Sequence, residues 1–269
     1  MGSRPLAGAH ASILSDTPPT GTQSIRRAIE VLREIATYNQ NGVRLIDLAE
    51  HLKLERSTAH RILQCLVYEG LLAEKNPGNR YVLGPLAYEL GLAAGKRFNL
   101  ADQLKPFMTA VAKQTQDVVF LSVQSGLATT CIARVEGDFP VKAYTRSIGD
   151  RRPLGFGCVG AIVLASMPDA EARAMLKKND QALRTFGGTD ATRAFKNVQL
   201  ARTTGVAVHE RPTHSLSAMA AGVFKPNGDL VAVMSICALS SRMQSDRMPM
   251  LVECLQRHCA AAGLCHFDD

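Results

Sequence analysis

Six side chains between positions 56 and 64 hold the clearest chemical potential in this sequence: Arg56, Ser57, Thr58, His60, Arg61 and Gln64. They mix cations with hydroxyl and amide donors. Among them, Ala59, Ile62, Leu63, Leu66 and Val67 recur at helical spacing, so a helix would turn the apolar set inward and the polar set outward. Guanidinium groups on such a face reach phosphate oxygens or the edge of guanine, and hydroxyl and amide groups donate to either. The chemistry is recognition of double-stranded nucleic acid. Arg26 and Arg27 open an earlier helical stretch where a backbone contact is expected. Lys75, Asn79 and Arg80 flank a turn that would bring them to an adjacent groove or phosphate.

Those side chains need a scaffold, and residues 22–84 supply one. Ile25, Ala28, Ile29, Leu32, Ile35 and Ala36 form an apolar face on a first helix over 24–38, with Ser24 as its expected N-cap. Leu45, Leu48, Ala49 and Leu52 do the same over 44–52, and a short turn leads to the third helix over 55–69, stopped at Gly70. Two short strands, 71–74 and 80–83, then flank the turn at 75–79. Three packed helices followed by a small hairpin predict a winged helix-turn-helix, which places its third helix in a major groove. Residues 1–21 read as a flexible tail. Residues 85–99 read as a connecting helix whose Leu, Ala and Tyr side chains suit a dimer seam or simple packing on the same subunit.

From residue 100 the pattern changes. An amphipathic helix runs through Leu104, Phe107, Met108 and Val111; strands are expected at 118–124, 128–136 and 141–146. Helices follow at 160–167, 169–178 and 191–204, then strands at 206–210, 217–224 and 230–239, and a closing helix at about 245–262. The last two strands are joined by an Asn-Gly turn, a hairpin signal. Runs of strands with helices on both sides predict a second domain, residues 100–269, of α+β class.

Composition narrows the field. A chain of 269 residues with 46% hydrophobic and 20% charged residues is a globular protein of about two domains, and its apolar runs are too short to span a bilayer. A cytoplasmic location and no membrane partner are expected. The formal charge of +7 permits a polyanionic partner, yet residues 22–99 hold 11 Lys and Arg against 8 Asp and Glu, so the excess is not concentrated there. The seven cysteines lie in mostly apolar surroundings and read as buried thiols. Cys254, His258, Cys259, Cys265 and His266 cluster without the paired spacing of a structural zinc site. With no Gly-rich phosphate loop and no paired carboxylates, no metal, cofactor or catalytic group is expected.

Ser24-Ile-Arg-Arg-Ala-Ile-Glu-Val-Leu, Leu48-Ala-Glu-His-Leu, Ser57-Thr-Ala-His-Arg-Ile-Leu, Glu69-Gly-Leu-Leu and Tyr81-Val-Leu-Gly-Pro-Leu-Ala-Tyr-Glu-Leu-Gly resemble, in that order, the IclR family of bacterial transcriptional regulators. Arg134-Val-Glu-Gly, Arg152-Pro-Leu, Ser217-Ala-Met-Ala-Ala-Gly-Val-Phe and Asp229-Leu-Val-Ala-Val-Met-Ser-Ile extend the resemblance through the second domain. It implies a GAF-like effector-binding domain, a homodimer often assembled as a dimer of dimers, an operator as DNA partner and a small organic effector. Carried over by position, the effector pocket would be lined by Leu154, Gly155, Cys158, Val159, Gly160 and Ala161, with His209, Ala218, Ser235 and Cys237 from later strands.

Where many members have His after Pro-Leu this chain has Gly155, and Ala161 stands where many have Lys. His209 replaces an often acidic residue. These departures predict a pocket roomier than usual, suited to an aromatic or medium-length acid held by Ser235 and the N–H groups of a helix starting near Gly157. Arg146, Arg151 and Arg152 would flank it. The overall expectation is a ligand-responsive regulator of a metabolic operon. The alternatives are an α+β enzyme with a winged helix used for assembly, and a redox sensor acting through Cys158 or Cys237.

Overall fold

A computed structural model describes residues 21–39, 41–75, 79–95, 99–211, 215–265 and 267. Most of the expected tail, residues 76–78 of the wing turn, 96–98 of the connecting stretch and His266 lie outside the described residues. The chain divides into two compact units, with the boundary after Gly95.

In the first unit, α1 (Gln23–Thr37), α2 (Leu45–His51) and α3 (Arg56–Tyr68) pack around Val31, Ile35, Leu48, Leu63 and Leu66. The buried stripe of α1 is confined to its C-terminal half. Ile25 and Ile29, expected on the inward face, are 64% and 43% exposed. Ser24 is not the N-cap either: the helix begins one residue earlier, after Thr22, and has no side-chain cap bond. The wing has three strands instead of two. β1 (Val43–Arg44) pairs antiparallel with β3 (Arg80–Leu83), which also pairs with β2 (Leu72–Lys75). A two-residue strand carries no periodicity, so only the pairing Val43↔Tyr81 reveals it. Helix α4 (Pro85–Gly95) groups with this unit and buries none of its residues.

The second unit is a six-stranded antiparallel sheet in the order β6-β5-β4-β9-β8-β7. Its strands are β4 (Val118–Ser125), β5 (Ala128–Val135), β6 (Arg151–Pro153), β7 (Ala207–Arg211), β8 (Leu216–Phe224) and β9 (Leu230–Leu239). Side chains alternate between faces. Val119, Leu121, Met219, Met234 and Ile236 join α5 (Leu100–Thr115) and α9 (Met248–Ala262) in one core. Ala220 and Val233, of opposite parity, join α6 (Gly157–Ala165), α7 (Asp169–Gly187) and α8 (Ala191–Thr204) in another. Fully burying each large aliphatic side chain contributes about 1.5–3 kcal/mol. Helices on both faces of an antiparallel sheet confirm the α+β class.

Residues 141–146, expected as a strand, form no strand. They belong to a loop over 136–150 that returns beside β5 through Cys131 N–H to Asp150 O at 3.0 Å and Gly149 N–H to Cys131 O at 2.8 Å. The edge strand is β6 instead. The loop's other anchor is a buried carboxylate. Asp117 accepts from Arg242 Nε and Arg247 Nη1, each at 2.8 Å, while both guanidinium groups also donate to the Thr115 carbonyl. Arg242 stacks on the loop's Phe139 ring at 3.7 Å, and Phe139 N–H donates to Gln116 O at 2.9 Å.

The turn into α6 explains the run Gly155-Phe-Gly-Cys-Val-Gly. A Cβ on Gly160 would lie 2.6 Å from the Gly155 nitrogen, so the two backbones meet directly. Gly155 has φ of +99°, and a Cβ there would sit 2.4 Å from Leu176 Cδ2 in α7. The space released by the missing side chain is filled by the helix behind it.

Candidate nucleic-acid interface and ligand cavity

In the first unit, α3 presents one continuous polar face. Arg56, Ser57, His60, Arg61 and Gln64 are exposed and Thr58 is half-buried, while Ala59, Leu63 and Leu66 point into the core. Thirteen residues make the helix about 20 Å long, a length that fits a major groove. Arg56, Ser57, His60 and Arg61 make no hydrogen bond or ion pair with other described residues, so their donors are available to an outside partner. Arg26 is exposed and Arg27 half-buried near the start of α1, and Lys75 is exposed at the wing.

Two of the expected contacts are already engaged within the fold. Arg80 Nη1 donates to the Gly42 carbonyl at 2.9 Å, holding β1 onto the wing. Gln64 shares the Tyr81 hydroxyl with Glu74, and that hydroxyl's pKa is raised chiefly by burial. Cys65, read with the other cysteines as a buried thiol, is instead exposed on α3, and Cys265 is half-buried near the C-terminus.

In the second unit a cavity opens between the start of α6, strands β7 to β9 and the 136–150 loop. It is lined by Cys158, His209, Ala218, Ser235 and Cys237, as the family resemblance implied, and by Gly157, Leu216 and Ser217. The loop contributes Thr145 and Arg146, and Arg152 comes from β6. The other five expected residues are not there. Leu154, Gly155, Val159, Gly160 and Ala161 are buried outside the cavity; Leu154, Val159 and Ala161 belong to the core that α6, α7 and α8 form against the strands. About 20 Å³ is open to the centre of a water molecule, room for roughly one or two waters. The roomier pocket expected from Gly155 is therefore not formed, since Leu176 occupies that volume.

The cavity wall is polar and cationic. Arg146 Nη1 donates to Ser122 Oγ at 3.0 Å, and Arg152 Nη2 donates to the Thr145 carbonyl. Thr145 Oγ1 lies 3.3 Å from Cys237 Sγ. The His209 ring stands edge-on to Phe156 at 5.3 Å, and the absent side chain of Gly157 leaves that ring at the wall. No carboxylate is among the lining residues. Burial pushes the Cys158 thiol up to about 12 and raises that of Cys237, with Arg146 and Arg152 acting in the opposite direction on both. Both are undissociated thiols near neutral pH. Cys254 and Cys259 point into the core, donating toward Gln114 Oε1 and the Ala221 carbonyl, and His266 lies outside the described residues.

Comparison with known proteins agrees with this layout. Residues 24–75 match the family model of the IclR helix-turn-helix domain, and residues 92–263 match that of the bacterial transcriptional regulator IclR C-terminal domain. The HTH-type transcriptional regulator XynR of Escherichia coli K12 is 25% identical over 241 residues, covering 87% of this chain and 93% of the relative. KipR of Bacillus subtilis 168 is 25% identical over 231 residues, covering 83% and 91%. The crystal structure of an IclR-family transcriptional regulator from Brucella abortus shares the fold, with a TM-score of 0.70 at 21% identity over 90% of this chain and 93% of that one.

Proposed function

This chain belongs to the IclR family of bacterial transcriptional regulators, and we propose on that premise that it controls a metabolic, most naturally catabolic, operon in response to a small organic acid. The family consists of DNA-binding regulators, so the reading as an enzyme with an appended winged helix falls away. The observation that carries the proposal is the α3 face, whose arginine and hydroxyl donors have no partner within the described protein. Arg56, Ser57, Thr58, His60 and Arg61 read the operator's major groove, while Arg26, Arg27 and Lys75 approach the phosphate backbone. Gln64 and Arg80 contribute only if they exchange their present partners.

The effector binds in the cavity of the second unit. Ser235 donates a hydroxyl, the start of α6 offers backbone N–H groups, and the surrounding arginines favour an anion. A compact acid suits this space better than the larger ring or chain that the glycine run suggested. The working form is a homodimer, assembled further as a dimer of dimers. Tyr88, Leu90 and Leu92 of α4 are exposed and support a seam there. Effector binding changes the spacing of two paired recognition helices and so their joint affinity for two half-sites. No helix among the described residues is long and apolar enough to cross a membrane, in keeping with a cytoplasmic regulator.

The test is a gel-shift titration with the DNA upstream of the chain's own gene. Arg56→Ala combined with Arg61→Ala should weaken binding at least a hundredfold and flatten its dependence on salt concentration. Unchanged operator affinity in that variant would remove α3 as the reading helix.

A further inference from the structure

Among the described residues only two side-chain nitrogen or oxygen atoms that are themselves closed to solvent have no hydrogen-bond partner, Thr129 Oγ1 and Arg146 Nε. Arg146 lines the ligand cavity. Its guanidinium is held by a single bond, Nη1 to Ser122 Oγ at 3.0 Å, and Ser122 is fully buried on β4. That bond anchors one end of the group and leaves the Nε–H without an acceptor. The positive charge is felt inside the cavity: Arg146 opposes the burial-driven rise of the Cys131, Cys158 and Cys237 thiols alike. Ser235 lines the same cavity; it is 1% exposed and its hydroxyl makes no bond to a described residue.

We propose that Arg146 is the specificity-determining residue of the effector site, its Nε–H donating to one oxygen of the effector's carboxylate while the Ser235 hydroxyl donates to the acid. The inference rests on the reading of this cavity as the effector site, and adds the residue that makes the site select charge. A buried donor without an acceptor is disfavoured, and an ionised acceptor is the strongest partner for a guanidinium. Neutral isosteres, amides and alcohols of the same shape, cannot supply that acceptor charge and are rejected. Because Arg146 lies on the 136–150 loop and Ser235 on β9, a carboxylate shared between them ties the loop to the sheet.

The full-length protein, labelled with ¹⁵N, is titrated with acetate and benzoate, and in parallel with acetamide and benzamide, while the arginine Nε–H and backbone amide signals are followed. The Arg146 signal is identified by its loss in Arg146→Lys. The expected result is a saturable shift of that Nε–H signal with acetate, a weaker one with the larger benzoate, and none with the amides. Acid affinity should fall about tenfold or more in Arg146→Met and recover in part in Arg146→Lys. If the Ser235 and Cys158 amides move with acid while the Arg146 Nε–H does not, or if Arg146→Met binds acids as well as the wild type, the assignment to Arg146 is overturned and the cavity remains the effector site. If no signal of the second unit responds to either acid at any concentration up to saturation of the buffer's capacity, the carboxylate reading of the cavity fails, and this inference with it.

Discussion

Oxidant or alkylating agent should leave the cavity thiols untouched at neutral pH, and the size of that protection follows from their surroundings. Burial pushes Cys158 to about 12. At pH 7.5 about 3 molecules in 100,000 would then carry the thiolate, against about one in ten for an ordinary exposed thiol of pKa near 8.5. The thiolate is the reacting form, so ionisation alone slows Cys158 by roughly 3000-fold relative to free glutathione, before access is counted. Cys158 is 4% and Cys237 3% exposed, which adds to the factor. The assay is time-resolved labelling with iodoacetamide at pH 7.5, read peptide by peptide by mass spectrometry, with operator affinity measured on the same samples. Cys65, exposed on α3, should label first, and any loss of DNA binding should track Cys65. Labelling of Cys158 or Cys237 within tenfold of glutathione, or sulfenic acid at either after brief low peroxide, would refute the burial argument and restore the redox-sensor reading.

Three further outcomes are expected. Gly155→Ala places a Cβ 2.4 Å from Leu176 Cδ2 at φ of +99°, so it should cost about 2–4 kcal/mol and lower the melting temperature of the second unit by roughly 5–15 °C in calorimetry; an unchanged melt would mean that α7 yields freely. Asp117→Ala leaves Arg242 and Arg247 facing each other without their buried carboxylate, a loss of about 3–5 kcal/mol by urea unfolding; less than 1 kcal/mol would show the clamp to be dispensable. Alkaline pH should destabilise the protein. Cys131, Cys158 and Cys259 are pushed by burial from 9.0 to about 11, 12 and 12, so their contribution is complete below pH 9 and is lost as pH rises through the folded values. Together they give roughly 4 kcal/mol of lost stability per unit between pH 9 and 11. Urea midpoints at pH 8.5, 9.5 and 10.5 measure this, and Cys259→Ala should remove about a third of the slope.

Local patterning made most of the fold legible. α2, α3, β8 and β9 follow directly from helical and alternating spacing, and their observed ends lie within a residue or two of the expected ones. The failures occur where a pattern is short or compromised by exposure. β1 is two residues long. The apolar run of α1 at Ile25 and Ile29 is real but finds no core to enter, because α2 and α3 cover only the helix from Val31 onward. The 141–146 segment has alternating Val, Ala and Thr residues, yet β5 takes the short β6 at positions 128–130 and the loop meets it again only at Cys131, through residues 149 and 150, so 141–146 pair with no strand.

The effector site was less legible because lining a cavity is a tertiary property. Cys158, His209, Ser235 and Cys237, named by family position, do line one cavity, since each sits on an element packed at the sheet. The same positional reasoning failed at Gly155 and Ala161. Small residues in a sequence register as missing volume, but whether that volume belongs to a ligand or a neighbouring helix depends on what lies behind the backbone; here it is Leu176. Arg146 was expected only as one of three arginines flanking the pocket, with nothing to set it apart from Arg151 and Arg152. On a loop an arginine ordinarily points to water, and nothing local distinguishes one that folds inward. What draws it in is Ser122, 24 residues earlier at the bulge between β4 and β5, where the register shift sits beside the buried hydroxyl. A charge held there by one neutral hydrogen bond is incompletely solvated by the protein. An anionic ligand would complete its coordination, and the proposed preference of the cavity for acids rests on this inward-folded charge.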